Sequence, residues 1–198
     1  MTERNDLSAL RGLINTAAMQ VPLVMTVIRK DRTGLVESIA RLVADHGGNW
    51  LESRMCRLGG EFAGLLRVHV PAAQQTSLVQ ALGALQSQGL TVVVHPDPAP
   101  ARGAGERVAA LEMVGHDRPG IVREISRALA ARGVNVEELA TECVSAPMSG
   151  EMLFKAQARL QIPAGCPVAA LRQELETLAA DLMVDVSFTE VGPEKSAK

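Results

Sequence analysis

Aromatic side chains are scarce in this sequence, and tyrosine does not occur at all. Trp50, Phe62, Phe154 and Phe188 are the only aromatic residues among 198. A surface that stacks the bases of single-stranded RNA or DNA needs more aromatic side chains than these. The formal net charge of −2 at pH 7 also argues against a strongly basic face. We therefore expect no direct contact with nucleic acid.

The spacings that mark metal, redox and catalytic sites are missing as well. Cys56, Cys143 and Cys166 are far apart and form no CxxC pair, so neither a structural zinc site nor a thioredoxin-type motif is expected. The histidines form no HxxxH or HExxH pattern, and GxSxG, GxxxxGK[ST] and GxGxxG are absent. We expect three reduced thiols, no metal, no cofactor and no enzymatic activity.

Long apolar runs are lacking too. No stretch approaches the roughly 20 apolar residues that span a bilayer. Glu3, Asp6 and Arg11 interrupt any apolar region of a secretory signal. These features predict a soluble cytoplasmic protein without a membrane segment.

An internal repeat is the most informative feature that the sequence does contain. Residues 31–53 align without a gap with residues 117–139, at a constant offset of 86 positions (117 − 31). Ten of the 23 aligned positions are identical. A repeat defines the structural unit before any element is assigned, so it predicts two small domains of similar fold.

Hydrophobic periodicity predicts the order β-α-β-β-α-β in each repeat. The first repeat has predicted strands at 22–29, 49–58, 61–70 and 91–95 and helices at 33–46 and 74–88; the second has strands at 107–115, 134–145, 151–162 and 182–190 and helices at 119–132 and 168–180. Apolar and polar residues alternate along 151–162, so one sheet face is expected to lie under the helices while the other stays polar. The fold class is thus α+β, with two tandem ferredoxin-like units that contain antiparallel sheets.

The domain boundaries follow from these elements. We predict domains at 21–96 and 107–191, joined by a linker at 97–106 that is rich in proline and glycine. Leu7, Leu10, Leu13, Ile14 and Ala17 recur at helical spacing, so the extension at 1–20 should contain an amphipathic helix over 5–19. That helix could cover an open sheet or a partner chain. Residues 192–198 are expected to be a disordered tail.

The turn between the first strand and the first helix carries the strongest candidate for a binding site. It reads Asp31-Arg32-Thr33-Gly34 in one repeat and Asp117-Arg118-Pro119-Gly120 in the other. Unpaired N–H groups and the dipole at a helix start suit a carboxylate. Asn49 and Asn135 begin the next strand, which we expect to pass the same end of the sheet. N–H groups for a carboxylate and Asp and Asn oxygens for an ammonium would together suit a zwitterion.

A purely structural interpretation of this turn remains open. An Asp that caps a helix, a proline in the first turn and a glycine after a strand are ordinary features of a helix start. Residues 146–150 lengthen the second hairpin, and they could form a lid, a contact surface or merely an extended loop.

The whole arrangement resembles the ACT domain, in two tandem copies over about 170 residues. The resemblance rests on DRxG at the first strand–helix turn and GxN before the second strand. The wider pattern is similar to the glycine cleavage system transcriptional repressor family, through DRTGLVESIARLVADHGGNWLESRMCRLGGEF in the first copy and VGHDRPGIVREISRALAARGVNVEELATECVSAPMSG, followed by Leu153-Phe154, in the second.

This resemblance implies a regulator that binds a small amino acid, glycine or similar, at interfaces between paired ACT domains. It implies control of a DNA-binding regulator as protein partner, no catalysis, and a possible homodimer. Carried over by position, the ligand-binding residues would be Asp31, Arg32, Gly34, Leu35, Val36 and Asn49 in the first copy, and Asp117, Arg118, Pro119, Gly120, Ile121, Val122 and Asn135 in the second.

Two alternatives stay open beside this interpretation. The chain could be a detached regulatory subunit that controls an enzyme of amino-acid metabolism, or an ACT dimerisation module without a ligand. The copies also differ: Thr33 replaces Pro119, and Trp50, which replaces Val136, could fill a pocket that Val136 leaves open. We therefore expect the second copy to be the better ligand site.

Overall fold

A computed structural model describes residues 19–97, 105–147 and 150–191. The predicted helix at 5–19 except its last residue, most of the predicted linker, the predicted tail and two residues of the long hairpin lie outside the described residues. The chain divides into two compact units, Met1–Pro100 and Ala101–Lys198.

Each unit has the predicted order of elements. The first contains β1 (Gln20–Lys30), α1 (Leu35–Asp45), β2 (Asn49–Leu58), β3 (Glu61–Pro71), α2 (Gln75–Ala84) and β4 (Thr91–Pro96), with short 3₁₀ turns on both sides of α2. The second contains β5 (Arg107–His116), α3 (Ile121–Ala131), β6 (Asn135–Ser145), β7 (Met152–Ile162), α4 (Val168–Leu182) and β8 (Val184–Val191).

The strands form one four-stranded antiparallel sheet in each unit, in the order β2-β3-β1-β4 and β6-β7-β5-β8. The two central strands are therefore β3 and β1 in the first sheet and β7 and β5 in the second, and each helix connects two strands that run in the same direction. This confirms the predicted α+β class with two ferredoxin-like units.

The helices begin later than their hydrophobic patterns predict. Helix α1 starts at Leu35 and α3 at Ile121, because the preceding Gly34 and Gly120 adopt left-handed φ angles of 88° and 101°. A residue in that conformation cannot be part of a right-handed helix, and glycine adopts it without steric cost.

Both helices of a unit cover the same face of its sheet. Along β7 the predicted alternation is confirmed, since Phe154, Ala156, Ala158, Leu160 and Ile162 are all buried. In the first unit the core is formed by Leu23, Met25 and Val27 of β1, with residues of β3, α1 and α2 packed against them. The opposite face of each sheet is covered by none of the described elements of its own unit, and we call it the open face.

The two units differ in the hairpin that faces the candidate turn. Gly59-Gly60 closes the first hairpin with positive φ angles of 59° and 87°. The second hairpin spans residues 146–151, where Ala146 N–H donates to the Glu151 carbonyl at 2.8 Å.

Candidate functional site

The start of helix α1 is left uncapped by side chains. Gly34 occupies the N-cap position, and no side chain caps the N–H groups there, although the Ser38 hydroxyl donates to the Gly34 carbonyl at 2.8 Å; no side chain caps α3 at Gly120 either. Asp31 and Asp117 therefore do not cap the helices, although their sequence position allowed it. The first N–H groups of both helices remain without a side-chain acceptor, which suits an anionic ligand group.

Asp31 instead pairs with an arginine on β2, the strand on the other side of β3. Its carboxylate lies 2.6 Å from Nε of Arg57 on β2, and its backbone N–H donates to the Gly60 carbonyl at 2.9 Å. The strand end, the hairpin and the turn are thus tied together. The sequence alone does not indicate Arg57 as a site residue, because its proximity to Asp31 depends on strand order and register.

The equivalent carboxylate of the second unit meets a thiol. Cys143 stands where the first unit has Arg57, at the repeat offset of 86 (143 − 57). Desolvation, the charge of Asp117 and a hydrogen bond with Asp117 raise the pKa of the Cys143 thiol above its ordinary value. Among the described residues Asp117 forms no ion pair, so its negative charge is balanced less directly than that of Asp31.

The arginines that follow these aspartates also differ. Arg118 donates to the backbone carbonyl of Asp181 at 2.7 Å, which draws its guanidinium towards the end of α4. No hydrogen bond or ion pair engages the Arg32 side chain within the described part of the chain, and Arg32 is exposed. Near the second turn, a hydrogen bond from Arg123 and the charge of Arg127 lower the pKa of Glu124.

A cavity of about 280 Å³ lies at the turn of the first unit. It is lined by Asp31, Arg32, Gly34, Leu35, Val36, Glu37 and Phe62. Five of these seven were predicted as ligand-binding residues, while Glu37 and Phe62 were not. The structure therefore brings together every predicted residue of the first site except Asn49.

The expectation that Asn49 and Asn135 meet the turns of their own units is wrong. Strand β2 runs parallel to β1, since both pair antiparallel with β3. Asn49 lies opposite His69, which pairs with Pro22 of β1, whereas the turn follows Lys30. Eight residues of strand separate the two positions, or roughly 26 Å at about 3.3 Å per residue. The second unit has the same geometry, with Asn135 opposite Gln161 and thus beside Val108.

The remaining predicted residues divide by exposure. Leu35 and Ile121 are buried at the start of their helices, while Val36, Val122 and Pro119 are exposed beside the turns. In each copy the turn thus offers one exposed apolar side chain from the first helical turn.

Trp50 does not fill the cavity at the turn. It follows Asn49 at the far end of the sheet, where it is half-buried against the core of the first unit. Val136, at the equivalent position, borders a small apolar cleft of about 20 Å³ under helix α3. The replacement of valine by tryptophan therefore changes the packing of the first core, and it does not change the cavity at the turn.

Within residues 19–97, 105–147 and 150–191, no group of three or more His, Cys, Asp or Glu side chains could hold a metal ion. None of the helices in these ranges is long and apolar enough to cross a membrane.

Comparison with known proteins points to one family. The sequence patterns of the ACT domain match residues 22–95 and 109–154. The glycine cleavage system transcriptional repressor of Escherichia coli K12 is 26% identical over 182 residues, which cover 89% of this chain and 93% of that protein.

Solved structures agree with this fold. A protein of unknown function from Galdieria sulphuraria superposes with a TM-score of 0.77 and 28% identity, over 88% of this chain and all of that one. A structure assigned as a glycine cleavage system transcriptional repressor superposes with a TM-score of 0.63 and 21% identity, over 89% of this chain and 100% of that chain.

Proposed function

From the premise that both units of this chain belong to the ACT domain family, we propose that it is an amino-acid-sensing regulatory protein. Its 26% identity with the glycine cleavage system transcriptional repressor of Escherichia coli supports a regulatory role. The proposed effector is a small amino acid, glycine or similar, and the proposed target is a DNA-binding regulator or an enzyme. We propose that the protein acts in the cytoplasm and that it has no catalytic role.

The cavity at the Asp31 turn is the observation that carries this proposal. Its lining combines the Arg32 guanidinium and the uncapped start of α1 with the carboxylates of Asp31 and Glu37. The first pair suits the carboxylate of an amino acid, and the second pair suits its ammonium group. A volume of about 280 Å³ favours a small ligand, because pockets for drug-sized molecules range from about 300 to 1,000 Å³.

The second turn offers a related but distinct arrangement. Asp117 forms no ion pair among the described residues, so an ammonium group would gain a carboxylate that is not already paired with an arginine. We predict that the second copy binds the ligand more tightly than the first.

Asn49 and Asn135 could contact the ligand only if the ligand is held at the turn of another domain. Neither side chain can contact a single amino acid held at the turn of its own unit, because the sheet separates them by roughly 26 Å. We propose that they contribute only where a paired ACT domain supplies them. A homodimer would provide such pairs.

Regulation requires that the ligand bind two states of the protein differently. We propose that only the liganded state presents the surface that the protein partner recognises. The relative from Escherichia coli is a transcriptional repressor, which supports a partner in transcription over an enzyme partner.

A thermal-shift screen against the twenty common amino acids tests the sensor function. A ligand present at 100 times its dissociation constant should stabilise the protein by about 2.7 kcal/mol, which gives a clear rise in melting temperature. The Arg32→Ala and Asp117→Ala variants should show a smaller rise with the same amino acid. If no amino acid raises the melting temperature of the wild type, the chain is better described as a dimerisation module without a ligand.

A further inference from the structure

The second unit contains a cavity at the corner of its sheet, where β5 ends and β8 begins. Its volume is about 540 Å³, against about 280 Å³ for the cavity at the first turn. We call it the corner cavity. None of the residues that the sequence predicts as ligand-binding lines it. Its lining is mostly apolar and includes Val114, Leu153, Ala179, Ala180 and Met183.

The register of the strands explains how these side chains meet. His116 lies opposite Leu153 of β7, and Val114 lies opposite Asp185 of β8. Residues two apart on a strand point to the same side, so Val114, His116 and their two partners share the open face of the sheet. The short alanine side chains at the end of α4 leave space beside this corner.

Met183 borders the corner cavity in a conformation that suits glycine better. It directly follows α4 with a φ of 52°, and among the described residues it is the one non-glycine residue with a positive φ. Gly89 has the equivalent place after α2 and its 3₁₀ turn, with a φ of 82°. Glycine adopts this backbone without steric cost. The second unit instead places a flexible, 65% exposed methionine there, a side chain that adapts well to a bound molecule.

The first unit shows that the fold does not require an apolar corner. At the matching end of its sheet, Lys30 of β1 lies opposite Glu61 of β3. The second unit has His116 opposite Leu153 at this place. The first corner is therefore charged on both strands, whereas the second combines an imidazole with an apolar side chain.

The residue before this pair differs as well. Arg29 reaches over the helix end in the first unit, since its Nη2 lies 4.0 Å from the position that a Cβ of Gly89 would take. Gly115 replaces it at the repeat offset of 86 (115 − 29). A Cβ at Gly115 would lie 2.5 Å from Cγ1 of Val184, so no side chain at this position can cross to the helix end. The second corner thus stays open where the first holds a guanidinium.

Two polar side chains give the corner cavity its chemistry. Within the described part of the chain, the Asp185 carboxylate forms no hydrogen bond and no ion pair. Nδ1 of His116 lies 3.7 Å from an oxygen of Glu151, which brings a second carboxylate near this end. Of the described residues that line the cavity, none is a lysine or an arginine. A cationic group would therefore gain an unpaired acceptor here, while an anionic group would find neither of these cations.

We propose that the corner cavity binds a small primary amine with an apolar chain. Its ammonium group donates to the Asp185 carboxylate, a charge-assisted hydrogen bond. Its chain lies over Val114, between Leu153 and Met183, which lowers the apolar surface exposed to water. Val114 and His116 are roughly 7 Å apart at about 3.3 Å per residue, a span that fits a short alkyl chain. This site is separate from the proposed amino-acid site and stands or falls without it.

n-Pentylamine, pentanoate and 1-pentanol test this proposal, because they share a chain length and differ in charge. Each is titrated into the full-length protein labelled at its methionine methyl groups, with the Met183 signal identified by its loss in Met183→Leu. n-Pentylamine should shift the Met183 signal saturably, and the other two should bind at least about tenfold more weakly. The Met55 methyl group of the first unit is the internal reference and should not move.

Two neighbouring carboxylates provide matched variants. Asp185→Asn should weaken n-pentylamine binding by about fivefold or more, because it removes the charge and keeps the shape. Asp181→Asn is the control: this residue is exposed on the same segment but does not line the cavity, so the affinity should change less than about twofold. Ala180→Phe, which fills the corner, should abolish binding of the amine. Asp117→Ala should leave it unchanged, which separates this site from the amino-acid site.

Several results would overturn the proposal. No saturable shift of Met183 with n-pentylamine would show that the corner cavity is not a site for an amine. Equal affinities for the three compounds would show apolar partition without recognition by Asp185. Equal losses in Asp181→Asn and Asp185→Asn would assign the preference to the general field of the unit. A loss of the glycine response alone would count against the amino-acid site and not against this one.

Discussion

At the scale of single residues, Gly34 and Gly120 explain where the helices start and why the turns stay open. A Cβ atom at either position would meet nothing within 4 Å, so the glycines are not required by crowding. Their φ angles of 88° and 101° are the constraint. The sequence places both glycines in the strand–helix turns, but its hydrophobic periodicity also includes them in the predicted helices, which their left-handed φ angles exclude.

Replacement of Gly34 by alanine should destabilise the first unit by about 1 kcal/mol, the usual cost of a left-handed L-residue. Gly83→Ala is the matched control: it lies inside α2, has open space around it and no positive φ. This control should stabilise by roughly 0.5–1 kcal/mol. Urea unfolding followed by Trp50 fluorescence measures both, since the chain has one tryptophan and it lies in this unit. Equal stability of the two variants would contradict the role assigned to the turn.

The Asp117 carboxylate should control the reactivity of Cys143. Its charge contributes to the raised pKa of the thiol, so Asp117→Asn should lower that pKa and enlarge the thiolate fraction near neutral pH. Alkylation of Cys143 should then become faster, as followed by mass spectrometry. Cys56, which is exposed in the other unit, serves as the internal standard in the same sample. An unchanged rate at Cys143 would show that the carboxylate does not act on the thiol.

At the scale of elements, each unit ties its two helices together at the same place with different chemistry. His46 follows α1 and its Nε2 lies 3.2 Å from Oγ of Ser77 on α2. Arg132 follows α3 at the repeat offset of 86 (132 − 46), and its Nε lies 2.8 Å from a Glu174 oxygen on α4. The repeat thus keeps a contact between the helices while a hydrogen-bonded pair in the first unit is replaced by an ion pair in the second.

Loss of the Arg132–Glu174 pair should cost less than about 1 kcal/mol, because both side chains are only partly buried. Arg132→Ala should therefore lower the melting temperature slightly at low salt and less at high salt, where screening weakens the pair. Arg127→Ala is the control: its side chain is 79% exposed, so the loss of its pair with Glu124 should change the melting temperature little. A loss for Arg132→Ala that is insensitive to salt would argue that packing of its methylene groups dominates instead.

The elements also show why one part of the predicted site failed. Hydrophobic periodicity located every strand and helix among the described residues to within a few positions. It contains no information on strand order, and the error about Asn49 and Asn135 arose there, because β2 runs parallel to β1 and not back past the turn. Arg57 and Cys143 were missed for the same reason, since only the register places them beside Asp31 and Asp117.

At the scale of the whole molecule, duplication has produced two units with one fold and different surfaces. The turns keep Asp, Arg and Gly, yet the carboxylate faces Arg57 in one unit and Cys143 in the other. The open faces differ as well: Leu65 and Val93 flank Thr26 in the first unit, whereas Gln157 and Ser187 flank Glu112 in the second. Such divergence suits a regulator in which one surface holds a ligand and another meets a protein, as proposed above.

Titration of the isotope-labelled protein with glycine, or with the amino acid that the thermal-shift screen selects, tests the central claim most directly. Amide chemical shifts report the position of the ligand residue by residue. The account predicts the largest changes at the helix starts, in Leu35–Glu37 and Ile121–Arg123, with smaller changes after Arg32→Ala and Asp117→Ala. Saturable changes confined to other regions, or none with any amino acid that stabilises the protein, would contradict binding at these turns.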